Sequence, residues 1–416
     1  MGGRRRMHVV HCLAAAEYQK QRRFPGSAIG CDGFPFPRAG RLFYTGSGHA
    51  RVAGPEPIQL PVRPVGRRLP FRLRRPHRPF RYRIRIPFPI GAILMAACTL
   101  TIERFRAMNA DVTVSLALEP SSAEAAFREV RSWFAYAEKV FSRFRPDSEL
   151  SGLNLSAGLP VRISRTMEEV LELAARYREL TNGLFNPCIL PFLISAGYTA
   201  SFERLRVSDI LSGGGAPAPS VAASVAAAGW RLFPPIQTVR LNPGTQIDLG
   251  GIVKGWSVDR VANWLIGKGI PAGLVNAGGD LRVWGGTDAP RWEIEIEDPR
   301  RPGTALGVVA LRSGAVATSG VLRRSWNTRE GRRHHLIDPR TGSPADSDVL
   351  QCTVSGVDAA EAEIAAKTVC LLGSGEGAEW LGRACPGSDA FILLRNGSIR
   401  LLRSPSADAG RKWKGE

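Results

Sequence analysis

Ile247-Asp-Leu-Gly-Gly-Ile-Val-Lys-Gly-Trp-Ser-Val-Asp-Arg260, with Val275-Asn-Ala-Gly-Gly-Asp280 after it, sets the reading of the chain. The apolar residues before Gly250 predict a strand, Gly250-Gly251 a tight turn, and the residues from Lys254 a helix. Val275 then opens a second strand with its own glycine turn. Lacking Cβ atoms, Gly250 and Gly251 let backbone N–H groups come close to a ligand. The helix opening near Lys254 offers the positive end of its dipole to a phosphate, and Lys254 adds a full charge. Gly278-Gly279 repeats the device beside Asn276 and Asp280. The spacing is neither GxGxxG nor that of a Walker phosphate loop, so neither nucleotide motif applies. From these residues alone, a phosphate site and a pair of plain turns with a solvated Lys254 stand equal.

Three other clusters tilt the balance toward a binding site. Phe141-Ser-Arg-Phe-Arg-Pro-Asp-Ser-Glu-Leu-Ser-Gly-Leu-Asn154 and Thr181-Asn-Gly-Leu-Phe-Asn-Pro187 each follow an expected helix. Ala317-Thr-Ser-Gly320 leads into His334-His-Leu-Ile-Asp-Pro-Arg-Thr-Gly342. Each joins turn formers to aromatic or charged residues where an element ends, as binding groups commonly do. Arg145 or His335 alone would read as a surface or core residue, but His335, Asp338 and Thr341 crowd one Pro/Gly turn.

Working outward, Asp111–Glu119 alternates as a strand, and Ser121-Ser-Ala-Glu124 predicts a capping box opening a helix to about Phe141. Phe127, Val130, Phe134 and Ala137 fall on one face of that helix. Thr166-Met-Glu-Glu169 predicts the cap of a second helix ended by Gly183. Residues 211–228 read as a loop or insertion. Asn396-Gly397 between Ala390–Arg395 and Ser398–Arg403 is the signal of a type I′ hairpin. The expected fold class is α+β, with mixed β-sheet layers flanked by helices over residues 98–405 and a frayed tail over 406–416.

The net charge of +19 suggests nucleic acid until it is located. Residues 1–97 hold 19 Lys and Arg against 3 Asp and Glu, so the remainder is +3. Nucleic-acid binding therefore depends on the leader alone. With 12 of the 30 prolines and no periodic apolar face, the leader reads as disordered, or as the product of a start upstream of Met95. The apolar run Ile86–Cys98 after Arg81, Arg83 and Arg85 resembles a weak lipoprotein signal, interrupted by two prolines and too short to span a membrane. Seven scattered cysteines without a CxxC pair argue against a disulfide framework or structural zinc and suggest a reducing compartment.

Taken in order from Phe105-Arg-Ala-Met-Asn109 to Leu372-Gly373, these blocks resemble the ApbE family of flavin transferases. The Asp-Leu-Gly-Gly-Ile-x-Lys-Gly and His-x-Ile-Asp-Pro-x-Thr-Gly blocks carry the resemblance. It implies an FAD-dependent enzyme that transfers FMN to a Thr or Ser of a partner protein, or to water, with AMP released and Mg²⁺ assisting. By position, Met108 and Phe144 would line the flavin pocket, Phe144 standing where the family often has Tyr. Leu184, Phe185 and Asn186 match a segment usually reading Ala-Phe-Asp. Asp248 and Lys254 would contact the nucleotide with Gly250 and Gly251, and His335 and Ile337 would border it. The catalytic candidates are Asp248, Asp280 and His335.

The metal block departs from the pattern. Its positions fall on Gly251, Glu363 and Lys367, where the family has Asp and Thr at the last two. An ammonium cannot ligate a hard cation. Glu363 and Lys367 would then form either an ordinary surface pair or a site in which Lys367 takes over part of the metal's charge. The expectation is an FAD:protein FMN transferase with an acceptor-protein partner. A flavin-binding protein without catalysis and an FAD pyrophosphatase are the alternatives. The expected location is cytoplasmic, or membrane-associated if Cys98 is lipidated.

Overall fold

A second β-sheet packs across the main one, in keeping with the expected β-sheet layers. The computed structural model describes residues 84–85, 100–205, 225, 228–286, 291–328, 331–405 and 411–414. The expected leader disorder (apart from 84–85), Cys98 and most of the 211–228 loop lie outside the described residues. The chain runs β1 (Ile84–Arg85), β2 (Leu100–Ala107), β3 (Ala110–Ala117), α1 (Pro120–Phe141), α2 (Glu149–Leu155), β4 (Pro160–Arg162), α3 (Arg165–Leu180) and α4 (Leu190–Ser195). It continues with β5 (Trp230–Phe233), β6 (Thr238–Leu241), α5 (Val253–Gly267), β7 (Gly273–Ala277), β8 (Asp280–Trp284), β9 (Trp292–Glu297), β10 (Ala305–Leu311) and β11 (Gly314–Gly320). There follow β12 (Ser325–Thr328), β13 (Gly331–His334), β14 (Ile337–Asp338), β15 (Ser343–Pro344), β16 (Val349–Gly356), α6 (Ala359–Leu372), α7 (Glu376–Ala384), β17 (Asp389–Leu394), β18 (Ile399–Leu402) and β19 (Lys412–Lys414).

The main sheet has eight strands in the order β18-β17-β16-β11-β8-β7-β3-β2, and the second has the order β1-β9-β10-β19. Leu274, Leu281, Val283 and Val316 of the main sheet pack on Trp292, Ile294, Val309 and Leu311 of the second. Helices α6 and α7 close a separate core with β16 and β17 through Ala362, Ala366, Val369, Trp380 and Leu381. Strands β7 and β16 are buried along their whole length, on both faces of the sheet, although β16 alternates Leu350, Cys352 and Val354 with Gln351, Thr353 and Ser355. The α+β class holds, and every described strand pair is antiparallel.

Two boundaries shift. Ile84–Arg85 of the supposed leader pairs with β9, and Lys412–Lys414 of the supposed tail pairs with β10. Trp413 stacks on Phe391 at 6.1 Å, which gives the tail an apolar anchor. Local expectations fare unevenly. Helix α1 starts at Pro120 and its N-cap Glu119 makes no side-chain cap bond, so Ser121 lies inside the helix and no capping box forms. Its buried face and its end at Phe141 are as read. Helix α3 is capped by Ser164, whose hydroxyl accepts from the Met167 N–H at 3.1 Å, two residues before the expected Thr166. Gly183, at φ +81°, ends it by donating to the Arg178 carbonyl at 2.7 Å. Asn396-Gly397 does form a hairpin, but only Gly397 has positive φ. Gly397 N–H donates to Leu394 O and Leu394 N–H to Ser398 O, a three-residue loop in place of type I′.

The segment before Gly250, expected as a strand, joins no sheet among the described residues. The Asn154 side chain stands in for a partner strand, its Oδ1 accepting from Ile247 N–H at 2.8 Å and its Nδ2 donating to Ile247 O at 2.9 Å. Asp248 N–H donates to Pro187 O at 2.8 Å. Helix α5 then lies against α6 so closely that a Cβ on Gly255 would stand 2.7 Å from the Ala359 carbonyl oxygen. That contact fixes α6, and with it Glu363 and Lys367, against the glycine turn. No helix among the described residues is long and apolar enough to cross a membrane.

Candidate active site

A cleft of about 2380 Å³ opens between the end of α1, the glycine turn, α6 and the His335 segment. Every candidate residue from Met108 to Lys367 lines it. Met108 and Asn109, at φ 51° and 57°, form the two-residue hairpin between β2 and β3, a left-handed pair without glycine. Left-handed backbone costs about 1–2 kcal/mol for such residues. The Glu138 carboxylate offsets part of this by accepting from Met108 N–H at 2.8 Å. Across β7 and β8, Gly278-Gly279 makes the corresponding turn, and Asn276 Oδ1 accepts from Gly279 N–H at 2.9 Å.

Four charged groups meet beneath the glycine turn. Lys254 Nζ donates to Asp280 Oδ2 and to Glu363 Oε1, the latter at 2.5 Å. Lys367 Nζ donates to the same Glu363 oxygen at 2.8 Å, and Gly255 N–H to Glu363 Oε2 at 2.9 Å. Glu363 is 1% exposed, so it is neither a surface residue nor half of a surface pair. Burial works against its charge, but Lys254 and Lys367 overcome that and hold its pKa at about 2. Burial likewise opposes the charge of Lys254, which Asp280 and Glu363 nevertheless keep above the ordinary lysine value. For Lys367 burial prevails and lowers the pKa, with Glu363 only partly offsetting it. Lys254 is thus not a solvated helix residue, and its charge is already matched.

These donors do not suit a hard divalent cation. Both Glu363 oxygens are engaged by cationic or amide donors, and Lys367 offers no lone pair while charged. Among the described residues no group of three or more His, Cys, Asp and Glu could hold a metal ion.

The other wall was harder to read. Arg143 is the buried arginine, its Nε 2.6 Å from Asp248 Oδ2 and its guanidinium over Phe144 at 4.1 Å and Tyr198 at 4.6 Å. Arg145, singled out from the sequence, instead pairs with Asp147 at the surface. Asp248 also accepts from Gly250 N–H at 2.6 Å, so the aromatic wall and the glycine turn share one carboxylate. Tyr198 stacks on Trp326 at 5.4 Å. Asn186 Oδ1 accepts from Cys188 N–H at 3.0 Å and serves its own turn, while Ile337 is 3% exposed and belongs to the core below the cleft. The residues missed were Arg143, Tyr198 and Arg324. The Phe-Ser-Arg-Phe-Arg run flagged the region without saying which arginine turns inward.

His335 lines the cleft, and its buried ring Nδ1 has no hydrogen-bond partner among the described residues. Burial pushes its pKa well below the ordinary histidine value, with the Arg324 and Lys367 charges adding to the effect. The imidazole is neutral at physiological pH, as a proton acceptor must be.

The ApbE family profile matches residues 108–392 of this chain. The chain belongs to the ApbE family. The FAD:protein FMN transferase of Treponema pallidum (strain Nichols) is 30% identical over 297 residues, covering 66% of this chain and 79% of that protein. That of Klebsiella pneumoniae (strain 342) is 28% identical over 279 residues, covering 64% and 81%. The ApbE protein of Thermotoga maritima superposes with a TM-score of 0.63 at 25% identity, over 74% of this chain and 98% of that one. The Pseudomonas stutzeri flavinyl transferase ApbE, at 22% identity and TM-score 0.62, shares the fold over 74% of this chain and 95% of its own. The eight-stranded antiparallel sheet with its cleft is thus an ApbE fold.

Proposed function

We propose that this ApbE-family chain is an FAD:protein FMN transferase whose cleft holds FAD and the acceptor hydroxyl together. The observation that carries the proposal is the convergence of the glycine turn, the α5 N-terminus, Lys367 and His335 on one cleft. At about 2380 Å³ the cleft exceeds the roughly 300–1,000 Å³ of a small-ligand pocket, leaving room for an acceptor segment beside a dinucleotide. Met108, Phe144 and Tyr198 would hold the flavin. The Gly250-Gly251 backbone and the α5 N-terminus would face the diphosphate, an electrostatic contribution of the kind phosphoryl transfer needs.

In the reaction, a Thr or Ser hydroxyl oxygen of the acceptor bonds to the phosphorus of the FMN half. The bond from that phosphorus to the bridging oxygen breaks, and AMP departs with the bridging oxygen. The hydroxyl proton passes to the His335 imidazole. Asp248 is engaged by Arg143 and Asp280 by Lys254, so His335 is better placed as the base and the two carboxylates as positioning groups. No step runs through a metal, because the Glu363–Lys367 donors do not suit one. Lys367 supplies part of the charge a cation would bring. The acceptor is a protein, nucleic acid is not a partner, and the cytoplasm is the proposed location unless Cys98 anchors the chain.

Incubation with FAD and a Thr-containing acceptor, followed by mass spectrometry, tests the reading. AMP together with an FMN-modified acceptor is expected. AMP with free FMN would make the protein a pyrophosphatase, and bound FAD without AMP would make it a flavin carrier.

A further inference from the structure

The phosphate side of the cleft is electrically balanced almost everywhere. Lys254 and Lys367 are matched by Asp280 and Glu363, and Arg143 by Asp248. A diphosphate carries a negative charge on each phosphate, and a balanced network attracts it less than an unmatched cation does. Among family members the resemblance assigns that task to a metal, which these residues do not suit.

Arg324 stands apart from the balanced groups. It lies between β11 and β12, half-buried, and lines the cleft. Among the described residues no carboxylate pairs with its guanidinium. Its carbonyl accepts the His335 N–H at 3.1 Å, and the adjoining Ser325 pairs with His334 across β12 and β13, so Arg324 and His335 sit side by side on one hairpin. The Arg324 charge works to lower the pKa of Lys254, His335 and Tyr198. Two other cleft-lining arginines without a carboxylate, Arg104 and Arg204, are exposed, where water and salt screen them. A half-buried, unmatched guanidinium is costly without an anion to receive it. Its planar fork suits the oxygens of a phosphate.

We infer that Arg324 binds the diphosphate of the dinucleotide, supplying from its guanidinium the positive charge that the closed Glu363–Lys367 pair leaves no metal to supply. This rests on the reading of the cleft as an FAD site. It makes Arg324 a substrate-binding residue, and it distinguishes ligands by their phosphates.

Arg324→Gln, Arg324→Lys and the unchanged protein are compared by flavin fluorescence quenching with FAD, FMN and riboflavin, and by AMP release from FAD. Because no described residue pairs with the side chain, Arg324→Gln should melt within a degree or two of the unchanged protein. FAD affinity should fall roughly tenfold in Arg324→Gln, the loss of one charge-assisted contact. It should recover in part in Arg324→Lys, while riboflavin affinity stays level. The dependence of FAD affinity on salt should also flatten. Equal FAD affinity in all three proteins, or an equal fall for FAD and riboflavin, overturns the Arg324 assignment and leaves the transferase reading standing. Unchanged protein that neither binds FAD nor releases AMP overturns the reading of the cleft itself.

Discussion

Arg143 Nε and Asp248 Oδ2 face each other at 2.6 Å, and the pair ties the aromatic wall of the cleft to its glycine turn. The same guanidinium donates to the Tyr198 carbonyl at 2.8 Å. Arg143→Ala strips a partner from a largely buried carboxylate and removes the plate on which Phe144 and Tyr198 rest. Breaking such a pair costs about 3–5 kcal/mol. Urea unfolding should show that loss, and FAD binding should weaken with it. Arg143→Lys keeps the charge but not the flat contact with the rings, so it should recover stability better than flavin affinity. A variant as stable and as tight-binding as the original would remove the strut from the argument.

Helix α5 offers a matched test in two glycines. At Gly255 an added Cβ would meet Ala359 O at 2.7 Å and Ala360 Cα at 2.8 Å, both backbone atoms that cannot step aside. Gly255→Ala should push α6 away and cost about 1–3 kcal/mol, the usual range for overpacking. Because Glu363 accepts from the Gly255 N–H, AMP release should fall further than stability alone explains. At Gly267, in the last turn, nothing lies within 4 Å of the added atom. Gly267→Ala should stabilise by about 0.4–1 kcal/mol through the unfolded chain. Thermal melts of both variants check the contrast.

Much of this site was legible because its chemistry sits in short blocks. Gly250, Lys254 and His335 were placed by pattern and Lys367 by the family resemblance, and the fold brings all four to one cleft. The strand expected before Gly250 does not form, because the backbone of Ile247 is bonded by the Asn154 side chain and not by a neighbouring strand, a substitution that an apolar run does not reveal. The β2–β3 hairpin gave no glycine signal, since Met108 adopts a left-handed backbone held by Glu138 from α1. Whether Glu363 and Lys367 form a surface pair or part of the site stayed open in the sequence, because an i,i+4 pair is usually solvated and only the packing of α5 on α6 buries this one. Arg143 and Arg324 lie in runs that also hold Arg145 and Arg323, and periodicity cannot say which of two near neighbours turns inward. Arg323 in fact pairs outside the lysine network, with Glu297 at 2.5 Å.

Two adjacent histidines predict how stability depends on acid. Burial holds His334 at about 4, and His335 lies well below the ordinary value for the same cause. The unfolded chain therefore binds protons near pH 6.5 that the folded rings refuse, so stability rises with pH across that interval. Their contribution is complete above pH 6.5 and is lost as the pH falls, for His334 down to about 4. Each ring should add about 1.4 kcal/mol per pH unit to the slope within its window. His334→Gln should flatten the rise of the urea midpoint between pH 4 and 6.5, beside a pH-independent offset from the lost ring contact with the Ala345 carbonyl. The rate of AMP release should hold steady as the pH is lowered through 6.5, because His335 stays unprotonated there. A rate that halves at pH 6.5 would falsify its role as a buried neutral base.

Lys367 and Glu363 predict how the enzyme answers to metal. Their contact at 2.8 Å lies one turn apart on α6, and Glu363 gives that same oxygen to Lys254. For a divalent cation to bind Glu363, two ammonium groups would have to be displaced from a carboxylate that is 1% exposed. Like-charge repulsion and the loss of buried ion pairs both oppose that exchange. AMP release by the unchanged protein should therefore persist in EDTA and gain little from added Mg²⁺. Glu363→Asp with Lys367→Thr removes one fixed positive charge, shortens the carboxylate and adds a hydroxyl, which together favour a hard cation. That double variant should be slow without metal and rise steeply as Mg²⁺ is titrated. Lys367→Thr alone should be slow and only weakly rescued, because the full-length Glu363 carboxylate still reaches Lys254, as the shorter aspartate would not. Activity of the unchanged protein that EDTA abolishes and Mg²⁺ fully restores would show that the lysines yield to a cation, and would make Glu363 a ligand despite them.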